Sequence, residues 1–445
     1  MNKKTAFLVL LLFFMISSVI FAEGENLTLK IAVMGPGDEL YFWWGHIALV
    51  IEDSNAGTSR FYDYGLFSFE NENFFYNFAF GRLLYSCGVS STNRNIAGYV
   101  GTNRDVVFYT LNIPPENRKK VHDFAAFNVL PENRNYFYHH FKDNCSTRIR
   151  DIIDLATDGQ FKEQFGNAPG RYTLRQHVRR HTWFMPPADW ALNFWMGQVI
   201  DTPITIWEEM FLPSEVASRI EDFWYTSANG EKQKLVTAVE TVNKAKDRPI
   251  VLDVPRKQWP RELAFSVVLS VIFAFFFNLQ LKKKSYRKGR ILSGLSMSLT
   301  GLVFGVASLL LYFMALFTNH DYTFQNYNML FGTPLLLAAV PLGIFYAFAK
   351  KIDRQTLSKA SIRSFYKLAK KAKSQIFHEA LLRLIWLITA LGIIISMLIK
   401  LLPAFYQQNL TDQMLILPFA LLFAFQPVGL REVLNRFFPN LIQGI

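Results

Sequence analysis

Tyr136-Phe137-Tyr138-His139-His140-Phe141-Lys142-Asp143-Asn144-Cys145-Ser146-Thr147-Arg148-Ile149-Arg150-Asp151-Ile152-Ile153 is the stretch on which the reading of this chain turns. It runs from an aromatic lead-in through a short polar turn into a helix. Asp143 or Asn144 stands where a helix cap belongs, because a short side-chain oxygen there accepts from the free first-turn N–H groups. Ile149, Ile152 and Ile153 recur at helical spacing and predict a face turned towards a core. Cys145 then falls in the first turn, where partial positive charge favours thiolate over thiol. A thiolate at a helix start is the geometry of a cysteine nucleophile.

Upstream, the alternation in Leu27–Met34 predicts a strand, and Trp44-Gly45-His46 leads into a second strand that His46 opens. Asp53–Gly57 reads as a hairpin turn and Arg60–Gly65 as its return strand. Arg82–Ser90 and Asp105–Leu111 predict further strands, and Pro114–Asn128 a helix with proline at its start. His46 is the candidate general base. A catalytic histidine needs a partner that fixes its tautomer. Asp63 on the return strand is that orienter, with Tyr62 or Tyr64 behind it. The distance in sequence is no obstacle, since such partners meet in space.

Each of these residues also has a plainer reading. Cys87 and Cys145 are the two cysteines, and in an exported domain they can form a disulfide instead. His139 and His140 fall in the aromatic lead-in and read as structural or rim residues. Arg148 and Arg150 lie one turn along the helix, where they can pair with Asp151 or Asp154, or Arg148 can hold a phosphate or carboxylate. No CxxC motif or Cys/His cluster occurs, so no metal site and no cofactor are expected.

The 445 residues are too many for one ordinary domain, and their hydrophobicity is unevenly spread. Residues 1–22 carry Lys3 and Lys4 before an apolar run and read as a signal peptide or signal anchor. Residues 23–158 form the candidate catalytic domain, and 159–260 a tryptophan-rich membrane-proximal extension. Residues 261–445 predict an all-α transmembrane domain of five helices, at about 262–281, 291–317, 330–349, 382–402 and 413–430. The formal charge of +12 lies largely between these apolar runs, which excludes nucleic acid as the partner it implies. Lys282–Arg290 and Lys350–Lys373 are strongly basic and therefore cytoplasmic, which puts the N-terminal domain on the outer side. Phe67–Gly81 is rich in Phe and Asn and suits a greasy surface or a lid over an apolar ligand. The outer loop Thr318–Asn328 is either solvated or brings His320, Asn326 and Asn328 to the site at the bilayer surface.

Trp44-Gly45-His46, Tyr62–Phe69, Phe80–Tyr85 and Asp143–Asp151 together resemble the bacterial Lnb family of lipoprotein N-acyltransferases. Asp201…Met210-Phe211-Leu212-Pro213 and Asn326-Tyr327-Asn328 are similar to that family too. The order His first, Cys later also resembles circularly permuted papain-like folds of the NlpC type and of lecithin:retinol acyltransferase. The resemblance implies an α+β, permuted papain-like exported domain and a thiol acyltransferase of the cytoplasmic (inner) membrane. Cys145 would be its nucleophile and His46 its base, with Asp63 third. Phospholipid would be the acyl donor and a lipoprotein the acceptor. Asn144, Arg148 and Tyr64 beside the pair, with His320, Asn326 and Asn328, are the candidate substrate-binding residues. Two other classes remain open: an envelope cysteine hydrolase using the same Cys/His pair, and a non-enzymatic envelope assembly protein stapled by Cys87–Cys145.

Overall fold

The computed structural model describes residues 24–68, 73–349 and 361–426. The signal segment expected over 1–22 lies outside these residues, as do the first eleven residues of the basic run Lys350–Lys373. The chain divides into two compact units that do not follow its linear order. One comprises the chain up to His181 together with Pro203–Val251, and the other comprises Thr182–Thr202 together with Leu252 onward.

The first unit is built on a seven-stranded antiparallel sheet. Its elements in chain order are β1 (Leu27–Met34), β2 (His46–Asp53), β3 (Thr58–Leu66), α1 (Phe74–Ala79), β4 (Leu84–Ser91), α2 (Thr92–Gly101), β5 (Val106–Leu111), α3 (Pro115–Asn128), β6 (Asn135–Phe137), α4 (Cys145–Ala156), α5 (Gln160–Phe165) and α6 (Leu174–Thr182). After an excursion the chain returns with α8 (Ile206–Glu209), α9 (Pro213–Glu221), the small pair β7 (Trp224–Thr226) and β8 (Lys232–Lys234), and β9 (Val236–Asn243). The sheet order is β6-β4-β3-β2-β1-β5-β9. Its outer strand β9 comes from the region expected to be a membrane-proximal extension, and it pairs with β5 from Val106↔Asn243 to Leu111↔Val236.

Alternation along the strands sends side chains to two faces. Leu29, Ile31, Ile47, Leu49, Tyr62 and Tyr64 face the core formed with Ile149, Ile152 and Ile153 of α4 and Val121 of α3. Ala32, Met34, Ala48, Val50 and Phe61 face the other way, against Ile96 and Tyr99 of α2. The isoleucine stripe of α4 is thus buried as its spacing predicts, each fully buried side chain contributing about 1.5–3 kcal/mol. β2 and β3 pair from Asp53↔Thr58 only as far as Leu49↔Tyr62. Beyond that the two strands part, and the β3–β4 register shifts between Asp63 and Leu66. The sheet is open at that end.

The second unit is helical: α7 (Pro186–Trp195), α10 (Trp259–Leu279), α11 (Tyr286–Phe317), α12 (Ala339–Phe348), α13 (Ile362–Ile399) and α14 (Leu410–Phe425). Three helices, Trp259–Leu279, Tyr286–Phe317 and Tyr366–Ile399, are long and apolar enough to cross a membrane. The five expected spans are therefore not all of one kind. The stretch near 330–349 is broken by a 3₁₀ turn at Pro334–Ala338, and Pro418 sits inside α14; both are shorter apolar helices, Pro334–Phe348 and Leu410–Phe425.

α11 and α12 approach closely because both present glycine. A Cβ on Gly343 would stand 2.7 Å from Gly294 O, and one on Gly294 would stand 2.7 Å from Ala347 Cβ. Small residues at such crossings let helix backbones touch in an apolar medium. Gly343→Val is expected to destabilise the protein by about 1–3 kcal/mol, the usual cost of overpacking. A lower melting temperature in detergent checks this; an unchanged one would mean that the helices do not depend on this crossing.

Candidate active site

α4 starts where it does because of Asn144. Its backbone is extended, and its Oδ1 accepts from Ser146 N–H at 2.9 Å and Thr147 N–H at 3.0 Å. Thr147 Oγ1 accepts in return from Asn144 N–H at 2.8 Å, completing a capping box. The Asn144 amide donates to His140 O at 2.7 Å and to Phe211 O at 3.0 Å. Every hydrogen-bonding position of this buried side chain is used. Among the described residues the Cys145 N–H, one place further on, has no acceptor.

Asp143, the other possible cap, is engaged by Arg148, whose Nε and Nη2 donate to its two oxygens at 2.6 and 2.8 Å. The same guanidinium lies 4.3 Å over the Tyr136 ring. The partner of Arg148 is therefore Asp143 and not Asp151 or Asp154. His139 Nδ1 accepts from Phe141 N–H and Lys142 N–H, both at 3.1 Å, and so shapes the turn.

His46 Nε2 is 3.0 Å from Asp63 Oδ1, which also accepts from Gly65 N–H at 2.9 Å. By strand alternation both side chains continue the α2 face of the sheet, where Tyr99 lies 6.3 Å from the His46 ring. Cys145 belongs to the core on the opposite, α4 face. They meet at the open end of the sheet, at Gly65. A Cβ there would be 3.0 Å from His46 Cε1, 3.6 Å from Asp63 Oδ1 and 3.7 Å from Cys145 Cβ. All three candidate residues thus converge on one point that only glycine leaves empty.

Burial alone would lower the His46 pKa, but the Asp63 carboxylate, Tyr99 and the charge of Cys145 outweigh it and hold the imidazole well above its ordinary value. Burial alone would raise Asp63, but the His46 cation and the Gly65 N–H leave it below the ordinary carboxylate value. With Nε2–H directed to Asp63, Nδ1 is left as the nitrogen that exchanges a proton with a neighbour. Burial, and then the charge of Cys145, push Tyr85 up to about 12 and Tyr138 well above an ordinary phenol. The groups around the sulfur are therefore neutral phenols.

Both cysteines are free thiols, which removes the Cys87–Cys145 disulfide. Cys87 is buried and its S–H donates to Asn128 O at 2.8 Å. Tyr64 turns its ring into the core, its carbonyl accepts from Tyr136 O–H, and its own hydroxyl is buried without a partner. His320, Asn326 and Asn328 lie in the second unit. His320 Nδ1 is 2.8 Å from Tyr322 Oη, and Asn326 and Asn328 both donate to Phe194 O at 2.9 Å. Asn328 also reaches Asp412 at 3.2 Å. These hydrogen bonds give the two asparagines a structural role in holding α7. Gly65 and Phe211 lie in motifs that carry the family resemblance, but their roles as meeting point and as carbonyl partner of Asn144 gave no signal in the sequence, and Tyr99 gave none at all. No group of three or more His, Cys, Asp or Glu placed to hold a metal occurs among the described residues.

Residues 22–180 match the family model of the Lnb N-terminal periplasmic domain. The match covers about a third of the chain and supports a relation of this domain to the Lnb family. Comparison with curated proteins and with solved structures returns no match. The Lnb match takes in His46, Asp63 and Cys145 and stops just short of the end of α6. It suggests that residues 22–180 of the first unit form the periplasmic domain of an Lnb-type envelope protein, and the match is compatible with an enzyme. Together with the three membrane-capable helices, it points to a protein of the inner membrane.

Two expectations follow from this geometry. Gly65→Ala puts a methyl group against His46 Cε1 and should cut the rate of Cys145 alkylation by iodoacetamide severalfold, with little loss of melting temperature. A wild-type rate would show that the imidazole and the thiol are not held together at this point. The second concerns the His46–Asp63 pair. The His46 pKa is raised, so its contribution to stability is full below 6.5 and is lost as pH rises through the folded value. The Asp63 pKa is lowered, so its contribution is present above 3.8 and is lost as pH falls through the folded value. Asp63→Asn should cost about 3–5 kcal/mol, the usual penalty for leaving half of a buried pair. Melting curves against pH should show the largest deficit between 3.8 and 6.5, shrinking on the alkaline side.

Proposed function

We propose that this protein is a membrane-bound lipoprotein N-acyltransferase that carries the acyl chain as a thioester on Cys145. The observation that carries the proposal is the convergence of His46, Asp63 and Cys145 at Gly65 within the residues that match the Lnb N-terminal domain model. In this reading the periplasmic domain is a circularly permuted papain-like fold, with the histidine on a strand that precedes the cysteine helix. Asn144 positions the nucleophile.

His46 Nδ1 takes the proton of the Cys145 thiol, and Asp63 holds the resulting imidazolium. The thiolate attacks an ester carbonyl of a phospholipid, and the unpartnered Cys145 N–H at the helix start stabilises the oxyanion. The C–O bond breaks, His46 returns the proton to the departing alkoxide, and a lysophospholipid leaves. The α-amine of a diacylglyceryl-cysteine lipoprotein then attacks the thioester. His46 takes the amine proton, the amide C–N bond forms, the C–S bond breaks, and the thiolate returns.

An aromatic track supports an acyl chain at this sulfur. Tyr138 stacks on Tyr85 at 4.2 Å, Tyr85 lies 5.0 Å from Phe67, Phe67 lies 5.9 Å from Phe74, and Phe74 lies 5.5 Å from the exposed Phe75. Neutral phenols and phenyl rings give a hydrocarbon chain a path from the surface to Cys145 and leave water few hydrogen-bonding sites on the way. The membrane-capable helices keep the domain at the bilayer, where phospholipid donor and lipoprotein acceptor both reside.

Mass spectrometry of the Cys145 peptide after incubation with phospholipid tests the proposal. The expected result is a hydroxylamine-sensitive acyl adduct that disappears as an added diacylglyceryl lipopeptide gains an amide-linked chain. Cys145→Ala should abolish both. An adduct lost only to water would make the protein a hydrolase, and the absence of any adduct would end the covalent mechanism.

A further inference from the structure

Arg104 follows α2 and is the most enclosed arginine near the candidate site. It is 2% exposed, and its guanidinium lies between the ring of Phe42 at 4.7 Å and the ring of Tyr99 at 4.9 Å. Its Nε–H donates to Gly35 O at 2.8 Å. That is one of five N–H groups on the side chain. The terminal nitrogens make no hydrogen bond among the described residues, and Nη2 is fully buried without an acceptor.

Among the described residues no carboxylate answers this charge. Asp38 is taken by a two-pronged contact with Arg248 at 2.8 and 3.1 Å. The exposed Glu39 acts on Arg104 only through space. A buried guanidinium whose fork has no partner carries a desolvation penalty that packing between two rings does not remove. A purely structural clamp would use the two ring faces and the Gly35 contact, and both are independent of the fork.

The position gives the fork a use. Tyr99, which covers one face of Arg104, is the ring that lies 6.3 Å from His46. The charge of Cys145 acts on Arg104 and on Tyr99 alike. Phe42 and Tyr99 are themselves only half-buried, so the sandwich is close to the surface. A planar fork of this kind matches two oxygens of one tetrahedral or carboxylate anion. The phosphodiester of a phospholipid stands a few bonds from the ester carbonyl, so a group that fixes the phosphate also fixes the carbonyl.

We propose that Arg104, held between Phe42 and Tyr99 with its fork unpartnered, binds the phosphodiester of the acyl donor beside His46 and Cys145. The inference rests on the transferase reading above and makes the donor a lipid with a phosphodiester as opposed to a neutral glyceride. It assigns to Arg104 the phosphate contact that Arg148, occupied by Asp143, does not supply.

The test follows acylation of Cys145 in the full-length protein in mixed micelles, with phosphatidylglycerol or diacylglycerol of the same chains as donor. Wild type should prefer phosphatidylglycerol by about tenfold or more in kcat/KM, the worth of a hydrogen bond to a charged group. Arg104→Gln should collapse the ratio between the donors towards one, mainly through KM, and Arg104→Lys should restore part of it. A wild type without preference overturns the proposal, and so does an Arg104→Gln that slows both donors by the same factor, the mark of a structural clamp. If Arg104→Gln does not fold, sn-glycerol 3-phosphate added to wild type decides. Competition against phosphatidylglycerol but not against diacylglycerol supports the site, and no competition overturns it. Inorganic phosphate that competes with neither donor yet protects the fold would show a free-anion site and overturn the lipid assignment. Failure of wild type to acylate from any donor overturns the transferase reading, and this inference with it.

Discussion

The Asn144 side chain is the constraint on which the proposed site depends. Its oxygen closes the first turn of α4, and its amide ties the turn to His140 O on one side and to Phe211 O on the other. Phe211 is held in its own right. Glu209, two residues earlier, accepts from Arg171 N–H at 2.6 Å, from Tyr172 N–H at 2.8 Å and from His177 Nε2 at 2.9 Å. Arg180 packs beside this group and donates to His177 Nδ1 at 2.9 Å and to Glu215 at 2.8 Å. A buried charge network therefore fixes the segment that fixes the cap, and the cap fixes where Cys145 stands. Because the side chain has no spare hydrogen-bonding capacity, Asn144 acts on chemistry only by position.

The meeting of thiol and imidazole is a consequence of sheet geometry. In a regular ladder, residues on opposite faces do not touch, and Cys145 packs on the α4 face while His46 and Asp63 follow the α2 face. The ladder between β2 and β3 stops at Leu49↔Tyr62, and β3 loses register with β4 just beyond Asp63. At that open end Gly65 has no side chain to separate the two sides. The electrostatics agree with the geometry. A carboxylate and an imidazole that share a buried hydrogen bond stabilise each other's charged forms, and a cationic imidazole is a suitable neighbour for a thiolate.

Local pattern made much of this legible in the sequence. The isoleucine spacing of α4, the cap-and-cysteine junction, the strand opened by His46 and its hairpin partner carrying Asp63 are all short-range signals, and each is where its pattern puts it. What pattern missed depends on contacts distant in sequence. β9 is a strand because it completes the edge beside β5, far away in the chain. Residues 182–202 leave the first unit for the second because Asn193, Phe194 and Trp195 meet partners such as Asp412 and Ala307 there. Hydropathy counted five apolar segments but is blind to the 3₁₀ break at Pro334–Ala338 and to Pro418, which shorten two of them.

Arginine shows most clearly where sequence reasoning stops. Arg148 drew attention because it lies one turn beyond Cys145, and Arg104 drew none because it sits in a bland loop between a helix and a strand. The chemical capacity of the two side chains is the same; their partners differ. Arg148 has a carboxylate matched to its fork and a tyrosine face beneath it, so its charge is answered within the fold. Arg104 has two ring faces and one carbonyl, and its fork is left over. A fold whose net stability is about 5–15 kcal/mol keeps a buried, unanswered cation, which costs several kcal/mol, only at the expense of a large part of that stability. If the neighbourhood of Cys145 receives a phospholipid, the compensation arrives with the substrate, as an anion reaching a cation that the described residues leave without a counter-charge.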